Sequence, residues 1–128
     1  MSAPLLEVED LRVTYRAGRR TVEAVKGVSF ALARGRCLGV VGESGSGKSS
    51  LARAILALED GVAGRVRFDG QDVAALDRAG LLAFRRRAQM VFQDPLGSLN
   101  PRLKVGAALA EVLRVHKLAD SRAAAAQQ

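Results

Sequence analysis

Apolar and polar residues alternate through the first third of the chain. Leu6 and Val8, then Leu11, Val13 and Tyr15, fall on one face of an extended segment if the frame slips once near Asp10. Ala17-Gly18-Arg19-Arg20 predicts a loop, Thr21 to Val25 a second strand, and Val28, Phe30 and Leu32 a renewed alternation. Ala33-Arg34-Gly35-Arg36 has the composition of a tight turn. The next run, Cys37-Leu38-Gly39-Val40-Val41, is apolar without interruption and stops at Gly42, the pattern of a strand buried on both faces of a parallel sheet.

Beyond Ser49 the period changes from two to helical. Leu51, Ile55 and Leu58 share one helix face, with Ala52 and Ala54 as good helix formers, and Glu59-Asp60-Gly61 ends the helix. Gly64 to Phe68 reads as a strand with Val66 and Phe68 inward, and Asp69-Gly70 signals a turn. Asp77 is placed to cap a helix through Leu81, Leu82 and Phe84, which Arg85-Arg86-Arg87 would close where cations complement the dipole. Met90-Val91-Phe92 predicts a short strand. Pro95 and Pro101 keep their preceding residues out of helical geometry, so 93–101 is expected as an extended loop. Val105, Leu109, Val112, Leu113 and His116 recur at helical spacing, and His116 reads as a helix-face residue. Residues 119–128 favour helix without a cap or a glycine stop, as a helical tail cut off mid-course would. The expectation is an α/β chain in which antiparallel N-terminal strands lead into a parallel core sheet with flanking helices.

A length of 128 residues allows one ordinary domain, and 48% apolar with 26% charged residues is the balance of a globular chain. No apolar run approaches the ~18 residues of a membrane span. Glu7, Glu9 and Asp10 precede any long apolar block, so this N-terminus is not expected to be a secretory leader. Cys37 is the single cysteine, so no internal disulfide forms, which agrees with a cytosolic setting. The net charge of +7 raises nucleic acid as a partner. The arginines are dispersed, however, and aromatic residues rarely neighbour the clusters Arg19-Arg20 and Arg85-Arg86-Arg87, so no base-stacking surface is expected.

The stretch that carries chemistry is Gly42-Glu43-Ser44-Gly45-Ser46-Gly47-Lys48-Ser49, which fits G-x-x-x-x-G-K-[ST], a phosphate-binding loop. A loop that wraps phosphates must aim successive backbone N–H groups inward, and Gly45 and Gly47 can take the positive φ angles this needs. Lys48 would reach the β- and γ-phosphates, and the Ser49 hydroxyl would ligate Mg²⁺. An apolar run before the loop and a helix after it supply the setting the motif requires.

Together, Tyr15 in an early strand, this loop, and Gln93 at the end of a later strand resemble the nucleotide-binding domain of ATP-binding-cassette transporters. The run from Met90 to Arg102, with Gln93-Asp94-Pro95-Leu96-Gly97-Ser98-Leu99-Asn100-Pro101 at its centre, is similar to the oligopeptide and dipeptide importer branch, nickel importers included. The resemblance implies ATP and Mg²⁺ as cofactors, with Tyr15 stacked on adenine and residues Gly42 to Ser50 around the phosphates. It implies that Lys48 and Gln93 act in catalysis and that Ser49 and Gln93 meet the metal. Ser50 stands where threonine is more usual, which keeps the hydroxyl. It further implies contact with transmembrane permease subunits through the Gln93–Arg102 loop, a second nucleotide-binding subunit, no nucleic acid, and a cytoplasmic place on the inner face of the plasma membrane.

The same family uses a signature loop of the Leu-Ser-Gly-Gly-Gln type, a buried Walker B strand ending in Asp and a catalytic Glu, and a switch histidine. These 128 residues contain none of them. The chain is therefore expected to be an incomplete cassette, truncated before the signature and Walker B regions, that binds ATP without efficient hydrolysis. Two other readings stand beside it: a small phosphotransferase, which would need an acceptor site and a lid arginine, and a basic nucleic-acid-binding module.

Overall fold

In a computed structural model, which describes residues 3–119, the early alternation becomes a hairpin. Strand β1 (Leu6–Ala17) pairs antiparallel with β2 (Arg20–Leu32), from Leu6 opposite Leu32 to Ala17 opposite Arg20. The frame slip near Asp10 is a β-bulge: register shifts between Val8 and Leu11, and Asp10 has φ 44°. The extra residue restores the inward face, so Val8, Leu11 and Val13 are all buried while Glu9, Asp10 and Arg12 face outward. Thr21–Val25 and Val28–Leu32, expected as separate segments, form one strand. Gly27 joins them at φ 90°, where a side chain would strike Asp10 and Arg12.

Strand β3 (Val62–Phe68) pairs antiparallel with the other edge of β1, and β4 (Gln71–Asp72) with β3, for a sheet order of β2-β1-β3-β4. Asp69 and Gly70, at φ 54° and 78°, turn β3 into β4 as a type I′ pair requires. Helix α1 (Lys48–Ile55) and helix α2 (Arg78–Arg87) contribute Leu51, Ala54 and Phe84 to one cluster with Val8, Leu11, Val13, Val25, Val66 and Val73. Phe84 meets Phe68 edge-on at 5.2 Å, and its burial stabilises by roughly 2–3 kcal/mol. The arginine triplet does close α2. Arg87 lies 4.9 Å over the Phe68 ring and donates to Asp69, which also pairs with Arg34, while Arg85 donates to the Ala57 carbonyl. Hydrogen bonds from Arg87 and then Arg34 hold the Asp69 carboxyl below its ordinary range.

Several expectations change. Helix α1 stops at Ile55, one turn short, because Ala57 takes the left-handed conformation (φ 53°) and Leu58 N–H returns to the Arg53 carbonyl at 2.9 Å. Leu58 therefore lies off the helix, exposed. Cys37–Val41 and Met90–Phe92 are extended but are not strands, because neither pairs with a neighbour among the described residues. Every strand pair there is antiparallel, and Val41 and Val91 are 93% and 96% exposed.

The described residues divide into two compact units, one ending at Gln89 and the other beginning at Met90. In the second, α3 (Val105–Val115) forms as its spacing predicts, but Val105, Leu109 and Val112 are exposed and the buried residue is Ala110, packed with Ala119 and Leu113. His116 ends α3 as its C-cap. The tail expected at 119–128 lies outside the described residues except for Ala119.

Candidate functional site

The loop from Gly42 to Gly47 has no regular secondary structure and feeds directly into α1, for which Gly47 is the N-cap at φ 93°. Gly45 is at φ 79°, so both glycines expected to turn the wrong way for L side chains do so. Their surroundings differ. A Cβ on Gly45 would meet open space, whereas one on Gly47 would land on the Ala24 carbonyl oxygen of β2. Gly42 has no positive φ, but a Cβ there would come within 2.5 Å of Ser46 Oγ. Gly45 thus serves the backbone turn, Gly42 the close approach of the loop to itself, and Gly47 both the turn and the contact with the sheet.

Lys48 opens α1 and folds back over the loop. Its Nζ donates to the carbonyl oxygens of Gly42 and Glu43, each at 2.7 Å, and to Ser46 Oγ at 3.2 Å. The Ser46 N–H closes the turn on the Glu43 carbonyl at 3.2 Å. Gly47 offers no side chain to the helix end, and α1 has no acidic residue in its first turn. The leading N–H groups of a helix have no acceptor inside it, so this end keeps its positive partial charge. Glu43, Ser44 and Ser49 are exposed and Ser50 is half-buried. The site therefore offers an ammonium, hydroxyls and amide N–H groups around a glycine turn, a donor set that suits a polyanion.

Tyr15 reaches α1 by its hydroxyl but lines a separate cavity, with Thr14, Arg16 and residues 58–61, rather than the one at the loop. Its ring is half-buried, and its hydroxyl donates to Ser50 Oγ in α1 at 3.0 Å, across 35 residues of sequence. What sequence reasoning missed is that strand β2 borders this loop. A cavity of about 570 Å³ opens between it and the loop, lined by Val22, Val25 and Val40 on the apolar side and Gly45, Gly47 and Lys48 on the other. The positive φ of Gly47 was foreseeable; its contact with Ala24 depends on where the hairpin packs, which no local pattern encodes.

Gln93 belongs to the second unit and is exposed, just after the extended run at 90–92. The loop after it is ordered from within. The Asp94 carboxylate accepts from the N–H groups of Leu96 and Gly97 at 3.1 and 3.0 Å, and Ser98 Oγ donates to the Asp94 carbonyl at 2.7 Å. Asn100 Oδ1 accepts from the Arg102 N–H at 3.0 Å. This scaffold leaves Leu96 and Leu99 exposed, Leu96 at 84%.

Fold and site together define an α/β protein built around a phosphate-loop helix start. The family model described as "ABC transporter" matches residues 25–128, and the chain belongs to that family. Among curated proteins it is 45% identical over 123 residues to the oligopeptide transport ATP-binding protein OppF of Bacillus subtilis, covering 95% of this chain and 40% of that one. It is 44% identical over 120 residues to OppF of Streptococcus mutans, covering 93% and 39%. It is 45% identical over 112 residues to a putative peptide import ATP-binding protein of Brucella ovis, covering 88% and 35%. The chain thus spans at most 40% of the length of these relatives. Among solved structures, the ATP-binding cassette MJ0796, a dimer bound to ADP and Pi, superposes with a TM-score of 0.70 at 26% identity over 87% of this chain and 47% of that one. A bacterial Atm1-family ABC exporter with ATP bound gives a TM-score of 0.53 at 26% identity over 90% and 21%.

Proposed function

We propose that this chain is the N-terminal, ATP-binding part of an ABC-type importer ATPase for peptides or similar solutes. One observation carries the reading: Gly45 and Gly47 in left-handed geometry, with Lys48 folded back over them at the uncapped start of α1. The names of the relatives, oligopeptide transport and peptide import ATP-binding proteins, supply the solute class.

Each residue then has a role. The loop from Gly42 through Glu43, Ser44, Gly45, Ser46 and Gly47 wraps the phosphates with backbone N–H groups, and Lys48 holds the β- and γ-oxygens. Ser49 and Gln93 meet Mg²⁺, and Gln93 also orients the attacking water. Tyr15 stacks on adenine, and Ser50 borders the phosphates. The Gln93–Arg102 loop, held open by Asp94 and Asn100 with Leu96 and Leu99 outward, docks against a permease subunit. A second nucleotide-binding subunit completes the assembly, as supported by the dimeric cassette it resembles. No helix among the described residues is long and apolar enough to cross a membrane, and membership of the transporter family supports a peripheral position on the cytoplasmic face. Nucleic acid is not among its partners. Arg12, Arg34, Arg53, Arg65, Arg67 and Arg87 each pair with a carboxylate, which spreads the basic charge rather than concentrating it.

Titration calorimetry tests the core of this. Mg²⁺-ATP binding should weaken by about 10- to 100-fold in Lys48→Ala, the loss of one or two charge-assisted hydrogen bonds. Equal affinity in both proteins would remove the reading. The 128 residues alone hold no Asp-Glu strand end to activate water, so phosphate release by the purified chain should be negligible.

A further inference from the structure

The tip of the β1–β2 hairpin concentrates charge that is balanced elsewhere on the sheet. Gly18 and Arg19 make a two-residue turn between Ala17 and Arg20, and Arg16, Arg19 and Arg20 are all exposed. None of the three has a carboxylate within ion-pair distance among the described residues. The nearest acids along the two strands, Asp10 and Glu23, are both taken by Arg12, at 3.0 and 3.1 Å. From Asp10 to Glu23 the hairpin thus carries four arginines against two carboxylates, with the excess at its turn. Strand β2 leads from that turn to the phosphate loop. Val22, two residues beyond Arg20 on the same strand face, lines the cavity at the loop, and the Ala24 carbonyl is the group that Gly47 packs against. At the rise of an extended chain, Arg20 lies about 7 Å from Val22 and about 13 Å from Ala24. Charge acts over about 8–10 Å at physiological ionic strength and further in dilute salt, so the turn is felt at the loop.

We propose that Arg19 and Arg20 steer the polyphosphate: their uncompensated charge draws the anion to the mouth of the cavity and speeds its capture by the loop. The proposal rests on the nucleotide site and adds to it two residues outside the loop motif. Steering scales with the ligand's charge and shows in the rate of association, while the rate of release, set by contacts within the loop, changes little.

Stopped-flow binding of ATP carrying a fluorophore on its ribose tests this in wild type, in the double variant Arg19→Gln with Arg20→Gln, and in the double variant Arg19→Lys with Arg20→Lys. With two charges removed about 13 Å from dianionic Mg²⁺-ATP, the glutamine variant should associate about fourfold more slowly at ~10 mM ionic strength and less than about twofold more slowly at ~0.15 M. Without Mg²⁺ the ligand's charge doubles, and the loss in dilute salt should exceed about tenfold. The lysine variant keeps the charge and should keep the wild-type rate and salt dependence. A glutamine variant that associates as fast as wild type in dilute salt overturns the proposal. So does a lysine variant slowed as much as the glutamine one, because the guanidinium groups would then serve the hairpin's own structure. If Lys48→Ala binds the nucleotide with wild-type rate and affinity, the phosphate site itself fails and steering falls with it.

Discussion

Helices α1 and α2 begin in opposite ways. Asp77 caps α2, its carboxylate accepting from the Gly80 N–H at 2.7 Å, so the positive end of that helix is satisfied by its own chain. Gly47 stands at the same place in α1 and supplies no side-chain cap. Both helices press one face onto the same sheet. The difference lies in what their first turns are left to bind. A helix whose task is packing closes its N-terminus; one whose N-terminus is a site leaves it open, and with glycine as the cap residue the foregone capping costs only about a few tenths of a kcal/mol.

The strongest way to break this contrast is Gly47→Ala. The left-handed geometry costs about 1–2 kcal/mol for an L residue, and the collision with the Ala24 carbonyl adds roughly 1–3 kcal/mol. Melting should show that loss, and calorimetry should find no ATP binding. Asp77→Ala strikes the other helix. Stability should fall by about 1 kcal/mol in urea unfolding with ATP affinity unaltered, and Asp77→Ser should recover most of it. The C-terminus of α1 offers a gain. Ala57 already occupies a left-handed cap at φ 53°, so Ala57→Gly should raise stability by about 1 kcal/mol, and a loss would show that the conformation carries no strain.

The smallest effect concerns pH. Because Arg87 and Arg34 lower the Asp69 carboxyl, the stability it lends is complete above its ordinary value of 3.8 and disappears as pH falls through the lower folded value. Asp69 is exposed at the α2–sheet junction, so the effect is slight. Acid unfolding of Asp69→Asn should show a shallower decline than wild type in that window.

What was legible in the sequence was whatever depends on neighbours along the chain. The bulge at Asp10, the Asp69-Gly70 turn, the Asp77 cap and the glycine loop are short-range patterns, and all of them formed. The failures depend on distant partners. Cys37–Val41 and Met90–Phe92 have strand composition, yet strandhood is a relation between two segments, and neither finds a hydrogen-bonding neighbour among the described residues. The helical period of α3 was likewise right, but the period alone did not say which residues it buries: Ala110 rather than Leu109 meets Ala119. At the site, the order of residues 42–49 foretold the turn but not its seat on β2, and Tyr15 and Ser50 could be paired only in three dimensions.

That seat has a mechanical consequence. With Gly47 packed close against the Ala24 carbonyl, lifting the entrance to α1 off the hairpin would uncover both surfaces at once. Loop and hairpin should open as one cooperative unit, in hydrogen exchange as in slow proteolysis. Amide protons at Ala24 and Val25 should keep pace with those at Ser50 and Leu51, while the turn at Gly18 and Arg19, at the hairpin's far tip, exchanges on its own schedule.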